Sequence, residues 1–441
     1  MQVTGWGRYP RHESAVLEPD DFGDVAMLQR AGAGLVARGN GRAYGDAAIG
    51  LASTLLTRRL DRMISFDPST GRLEVEAGVL LADILDFAVP RGFFPPVVPG
   101  TKFVSLGGMI AADVHGKNHH VDGGFGRHVE TLELVLPDGG RVTCSAGDNS
   151  ELFRATIGGM GLTGTILSAA FRLRPIETSL VQQRTIVAAD LDAAMAALDA
   201  SRDATYSVAW IDCLARGANL GRALVYCGEH AKADALPPGT PAFRRPRKRL
   251  LAVPLDMPSF MLNRRSVAAF NEIYFRRGAA GAERDVFVAA DPYFFPLDGI
   301  ADWNRIYGAR GFVQHQCVIP KAASRAALGE ILERISRLGT PSFLAVLKLL
   351  GPGSGLMSFP LQGYTLALDF PVSANTLRLL DEIDAIVVAT GGRLYLAKDA
   401  RQQRATFEQG YVQALPQFRT LRRALGAAGK IESRLSRRLG F

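Results

Sequence analysis

The residues best placed to do chemistry sit among glycines. Arg38, Gly39, Asn40, Gly41, Arg42, Ala43, Tyr44, Gly45 and Asp46 form one such segment. Gly100, Ser105, Leu106, Gly107 and Gly108 belong to a second, and Gly116 to Gly126, with Gly123, Gly124 and Phe125, to a third. Glycine lets a backbone approach a pyrophosphate and aim several N–H donors at it. The first segment spaces its glycines G-x-G-x-x-x-G, and no long helix is expected after it, which argues against a Rossmann nucleotide site. One glycine-rich turn means little; three between residues 38 and 126 point to a bound dinucleotide.

Side chains that could act on a substrate lie in the third loop and far beyond it. His115 and Lys117 flank Gly116, with Asn118, His119 and His120 following. Gln314 and Gln316 stand two apart on a predicted strand, so both face one way and can hydrogen-bond sugar hydroxyls. Lys348 lies in the apolar run Phe343 to Leu350, where an unpaired ammonium is costly and a substrate phosphate is a fitting partner. Lys398, in Tyr395-Leu396-Ala397-Lys398-Asp399, reads by itself as a surface charge; the family resemblance given below makes it the first choice for the reacting centre. A buried lysine can hydrogen-bond a reacting hydroxyl and stabilise the developing alkoxide. No H-E-x-x-H or C-x-x-C is present, so no metal site is expected.

These groups need elements to hold them. A brief strand from Gly34 to Arg38 runs into the first loop. Met63 to Phe66 and Leu73 to Ala77 flank the turn Pro68-Ser69-Thr70-Gly71, and Leu132 to Leu136 and Arg141 to Cys144 flank Pro137-Asp138-Gly139-Gly140; both read as hairpins. Leu80 to Val89 has helical spacing and stops at Pro90. After Pro175 strands such as Ser207 to Ile211 and Phe312 to Ile319 alternate with helices such as Leu191 to Ser201 and Ala322 to Leu338. Beyond Gly391 helix formers with arginine dominate.

Composition bounds the rest. With 441 residues, 47% hydrophobic and 21% charged, the chain reads as a globular protein of two or three domains. No apolar run is long enough to span a membrane, and the polar start shows no signal peptide, which predicts a cytoplasmic or membrane-peripheral protein. The four cysteines sit among apolar neighbours and are expected to be buried free thiols. The net charge of +8 is uneven: Arg244, Arg245, Arg247, Lys248 and Arg249 form a basic run, followed by Arg264, Arg265, Arg276 and Arg277. Apolar, proline-bearing pieces lie between, so the segment reads as a solvated loop or as a surface for anionic phospholipid or a substrate with a phosphate and a greasy tail, with the inner membrane a candidate peripheral partner and no nucleic acid expected. The stretch 241–265 is the expected disordered piece.

The glycine-rich loops resemble the FAD domain of vanillyl-alcohol-oxidase (PCMH-type) flavoproteins. The strings Ala112-Asp113-Val114-His115-Gly116-Lys117-Asn118-His119-His120 and Gly391-Gly392-Arg393-Leu394-Tyr395-Leu396-Ala397-Lys398-Asp399 are more specific. With Gly158 to Gly164 and Gln314-His315-Gln316, they are similar to the decaprenylphosphoryl-ribose 2′-oxidases, flavin subunits of an epimerase, over nearly the whole chain. The resemblance implies an α+β fold with FAD-binding parts at 1–178 and 393–441 and an antiparallel-sheet substrate domain at 179–392. It implies FAD held by the loop residues above, by Ile166 and by Tyr395, with Lys398, His115, Lys117 and Tyr44 catalytic and Gln314, Gln316, Lys348 and Thr365 on the substrate. No histidine or cysteine lies between Arg38 and Gly50, where tethering relatives carry a histidine, so the flavin is expected to be non-covalent. The implied reaction oxidises the 2′-hydroxyl of a polyprenyl-phosphoryl ribose to a ketone, which a partner NAD(P)H-dependent keto-reductase then reduces. An oxygen-using oxidase of a free sugar, lactone or alditol is the alternative. The chain departs from mycobacterial members at Ala367, where they carry a cysteine, and at Thr365, where they carry an asparagine.

Overall fold

Short runs of β-branched and apolar residues punctuated by glycine fill the first 175 residues, and they build two larger sheets and two two-stranded ones. The computed structural model describes every residue except 244–250, 259–260, 283 and 340. Ala15–Leu17, Ser53–Leu56 and Leu35–Arg38 form a three-stranded parallel sheet, in that order. Arg141–Ser145, Val129–Val135, Thr165–Arg172, Arg72–Glu76 and Met63–Asp67 form a five-stranded antiparallel one. The hairpin at 67–72 closes because the Asp67 carboxylate accepts the Ser69 N–H at 2.9 Å and Gly71 takes a φ of 73°. Helix Leu81–Ala88 buries Leu81, Ile84, Leu85 and Ala88, the i, i+3, i+4, i+7 stripe that the sequence displays.

The middle of the chain forms an eight-stranded antiparallel sheet. Its order is Val286–Ala289, Leu180–Ala188, Ala223–His230, Tyr206–Ile211, Ala345–Leu350, Gly363–Pro371, Phe312–Pro320 and Arg393–Leu394. Strand alternation gives it two unlike faces. Val313, Cys317, Ala345, Leu347, Leu366, Leu368 and Phe370 pack with helices Leu191–Ala200, Lys321–Leu338 and Ala374–Ala389 in one core. The intervening residues, among them Gln314, Gln316, Lys348 and Ala367, look the other way. The molecule is therefore α+β, as its sequence implies.

The last strand is the hinge of the design. Arg393–Leu394 pairs with Cys317 and Val318, and the chain then passes through Tyr395 to Lys398 into three short helices. These pack Phe407, Phe418, Leu435 and Leu439 onto Met160 and Leu162 of the N-terminal part. Arg438 clamps the return, pairing with Asp46 at 2.8 Å and Asp399 at 2.9 Å.

One expectation needs correcting. Much of 241–265 is ordered: Leu251–Ala252 pairs in parallel with Ile300–Ala301, and Arg264 opens helix Arg264–Ala280, capped by Asn263. The basic run and prolines hide this, because the partners at Ile300–Ala301 lie far along the chain. The run Arg244 to Arg249 lies outside the described residues. All four cysteines are free and buried, and no helix among the described residues is long and apolar enough to cross a membrane.

Candidate active site

One continuous cavity of about 400 Å³ lies between the glycine-rich loops and the face of the large sheet that carries Gln314, Gln316 and Lys348. Gly39, Asn40, Gly41, Arg42, Ala43, Tyr44, Gly100, Ser105, Gly107, Gly108, Gly116 and Ile166 line its N-terminal end. The backbone approaches there leave no room for a side chain: a Cβ on Gly39 would lie 1.8 Å from Ser105 Oγ, and one on Gly107 3.0 Å from Ala77 Cβ. His115, Lys117, Gln314, Gln316, Lys348, Tyr395 and Lys398 line the middle. Trp210, Tyr226 and Tyr274 carry the wall outward to helix Arg264–Ala280.

Several motif residues lie behind the wall. Arg38 donates to the Thr4 carbonyl at 2.8 Å, and Asp46 holds Arg438. Gly45 is where the returning segment crosses, since a Cβ there would meet the Asp399 carbonyl at 2.0 Å. Asn118 donates to the Pro96 carbonyl at 2.7 Å, the His119 Nδ1 accepts from Gly351, and His120 contacts the Ala204 carbonyl. Leu106 and Phe125 are core; Gly123 takes a φ of 75°, and Gly124 packs against Asp113. Thr365 is buried beneath Gln316, whose amide donates to its hydroxyl at 3.2 Å, so it supports a cavity residue rather than lining the cavity. A contiguous motif cannot put every residue on one side of a loop.

The hydrogen bonds define what the lining offers. Gln316 Nε2 lies 2.8 Å from His115 Nε2 and donates to it, so the imidazole proton sits on Nδ1. That Nδ1 is buried with no partner among the described residues, and burial first, then Lys348, His119 and Lys398, hold the ring's pKa well below the usual histidine range. The neutral ring thus presents an unused N–H. The Tyr395 hydroxyl donates to the Ala112 carbonyl at 3.0 Å, with its ring stacked on Phe359.

Cations dominate. Burial lowers Lys117 to about 7 and Lys348 to about 8, with Lys348 adding to the effect on Lys117. Lys117 Nζ donates to the Tyr293 carbonyl at 2.5 Å. Among the described residues Lys348 has no hydrogen bond or ion pair, although burial leaves its ammonium poorly solvated. The Lys398 Nζ rests 3.7 Å from the centre of the Tyr44 ring. Arg42 lies over the Trp6 ring at 3.9 Å with a buried Nε that has no partner among the described residues.

These residues fit a flavin dinucleotide. Glycine loops with close backbone approaches, two buried unpartnered donors on Arg42 and His115, and an excess of positive charge match an anionic pyrophosphate joined to a flat ring. FAD supplies hydride acceptance when bound. What the chain adds is a cationic, hydrogen-bonding end where an alcohol can be held and its hydroxyl proton taken.

Some lining residues escaped the sequence. Met160, Gly161 and Gly164 come from Gly158 to Gly164, a string that carries part of the family resemblance. Trp210 and Tyr226 enter through the sheet register, Tyr274 through helix Arg264–Ala280, and Asp298 and Trp303 through the short turns Pro296–Gly299 and Trp303–Tyr307, so none carries a local signal.

Residues 15–145 match the FAD binding domain family. The chain is 36% identical over 452 residues to the decaprenylphosphoryl-β-D-ribose oxidase of Mycolicibacterium smegmatis, covering 99% of this chain and 97% of that protein. It is 38% identical over 380 residues to an uncharacterized protein in the mprA 5′ region of Streptomyces coelicolor, covering 82% and 100%. Similarity to the L-gulonolactone oxidase of Mus musculus is 24% and reaches only 44% of this chain and 46% of that protein. With its loops, cavity and near full-length likeness in view, the chain belongs to the decaprenylphosphoryl-β-D-ribose oxidase family, and it is an FAD-dependent oxidoreductase acting on a CH–OH group.

Proposed function

We propose that the protein oxidises the 2′-hydroxyl of a polyprenyl-phosphoryl-β-D-ribose to the 2′-keto sugar, the first half of an epimerisation. A keto-reductase using NAD(P)H completes it. The observation that carries this reading is Lys348, an ammonium with no partner among the described residues, in a wall that continues outward as Trp210, Tyr226 and Tyr274. A sugar phosphate needs such a charge, and a prenyl chain such a wall. A free sugar or lactone needs neither.

In this reading Lys398 takes the carbinol proton while Gln314, Gln316 and the His115 Nδ1–H hold the sugar or the cofactor. Lys117 and Tyr44 set the cavity's shape and charge. FAD is bound by residues 1–178 and 393–441, and the sugar by 179–392; the return of the C-terminal helices to Met160 and Leu162 supports that division. Binding is non-covalent, since the first loop carries no histidine or cysteine and the His115 Nε2 is already engaged by Gln316.

The protein meets the bilayer peripherally. Helix Arg264–Ala280 lines the cavity with Tyr274 and exposes Ile273 and Phe270 beside Arg264, Arg265 and Arg277, a pattern suited to anionic lipid. Turnover of polyprenyl-phosphoryl ribose against free aldoses and lactones, with hydrogen peroxide measured, tests the substrate. Preference for a free sugar with stoichiometric peroxide would overturn it.

A further inference from the structure

The large sheet opens beside Lys348. Strand Ala345–Leu350 pairs with Gly363–Pro371 at every residue, but with Tyr206–Ile211 only at Val346 and Leu347. Continued, that second register would set Ser207 opposite Leu349. The Ser207 N–H donates instead to the Lys117 carbonyl at 2.9 Å, and the Gly351 N–H donates to His119 Nδ1 at 3.0 Å. Residues 117–119 of the third glycine loop therefore fill the place of a strand partner where Lys348 enters the cavity wall.

Beyond Leu350 the chain leaves the sheet as a strap, residues 351–358, that packs on the N-terminal part. The Leu356 N–H donates to the Arg154 carbonyl at 2.9 Å, and a Cβ on Gly355 would lie 1.9 Å from the Ile157 carbonyl oxygen. Asp113 is its anchor. One carboxylate oxygen accepts from the Gly126 N–H at 2.9 Å; the other accepts from the Ser354 N–H at 3.1 Å and the Ser358 hydroxyl at 2.5 Å. None of the roles above uses this group, although Ala111, Ala112, Val114, His115, Gly116 and Lys117 on either side of it line the cavity. It is fully buried and meets three donors but no cation among the described residues. Burying a carboxylate is costly unless its oxygens are filled, and filling them ties three segments together.

We propose that Asp113 is a positioning residue for Lys348. It pins the strap to the third glycine loop and so holds the ammonium that receives the substrate phosphate at a fixed distance from the loop that meets the flavin. This rests on the reading of Lys348 as the partner of the phosphate. A phosphate fixed at one end and a flavin loop at the other leave the sugar a single span to occupy, so slack in the strap weakens substrate binding before it touches the chemistry at Lys398. Asparagine in place of Asp113 keeps the size but carries one acceptor oxygen, which serves the Gly126 N–H or the Ser354 and Ser358 donors, not both. Ser358→Ala removes the hydroxyl, its bond to Asp113 and the one it accepts from the Gly355 N–H at 2.7 Å, and leaves both backbone bonds to the carboxylate.

The test pairs amide hydrogen exchange with kinetics on the FAD-loaded protein. In Asp113→Asn the amides of 351–358 exchange faster and those of 38–46 do not. KM for polyprenyl-phosphoryl ribose rises about three- to tenfold, the worth of one hydrogen bond, with kcat little changed. In a Lys348→Met background the same substitution adds less than about twofold to KM, since it acts through that ammonium. Ser358→Ala moves exchange and KM the same way by less, and serves if Asp113→Asn does not fold. Unchanged exchange, or a rise in KM that simply multiplies with that of Lys348→Met, would make Asp113 a general support of the fold and overturn the proposal. The exchange needs no substrate. A loosened strap in Asp113→Asn beside an unmoved KM in Lys348→Met would refute the phosphate reading and leave the strap's hold on the Lys348 strand standing.

Discussion

The two ends of the cavity are made from different materials. The dinucleotide end is largely backbone: Gly39, Gly41 and Gly107 line it where a Cβ would meet close neighbours. The other end is side chain: Gln314, Gln316 and Lys348 come from two strands of the large sheet and Lys398 from the segment after a third. Substitution at the first end should therefore act through space and stability, and at the second through charge and hydrogen bonding.

The sharpest way to break this contrast is Lys398→Met. It should keep its flavin and lose about 10²–10⁴-fold in the rate of flavin reduction by substrate, the usual worth of a general base; loss of bound flavin instead would move Lys398 to the cofactor end. Lys348→Met comes next. With a charged hydrogen bond worth about 1.5–3 kcal/mol, KM for the phosphorylated sugar should rise about ten- to hundredfold with kcat little changed. Wild-type KM should also climb above about pH 8, where the free Lys348 ammonium loses its proton, while the variant's stays flat over that limb.

Gly45→Ala probes the backbone end. Its Cβ would strike the Asp399 carbonyl, and accommodating it should cost about 1–3 kcal/mol, read as a lower thermal midpoint with weaker flavin retention. The mildest change is Thr365→Val. Gln316 loses one acceptor, and kcat/KM should fall about two- to tenfold, with normal flavin content.

The same contrast explains what was legible beforehand. Glycine spacing and turn residues are local, so the three loops, both hairpins and helix Leu81–Ala88 could be read from the chain. Period-two alternation likewise put Gln314 and Gln316 on one face. The partners of Asp113 needed the packing of residues 351–358, and Trp210, Tyr226 and Tyr274 needed the sheet register and the docking of helix Arg264–Ala280, none of which any short window encodes. Motif residues were over-assigned for the converse reason: Asp46, Asn118 and His119 sit in the right strings but brace the loops from behind.

The most direct test of the whole account is an anaerobic mix of the FAD-loaded protein with polyprenyl-phosphoryl ribose. The flavin's yellow absorption band should bleach in the wild type and persist in Lys398→Ala. A band that persists in the wild type, or bleaches equally well in both, would contradict an alcohol held between Lys398 and the flavin.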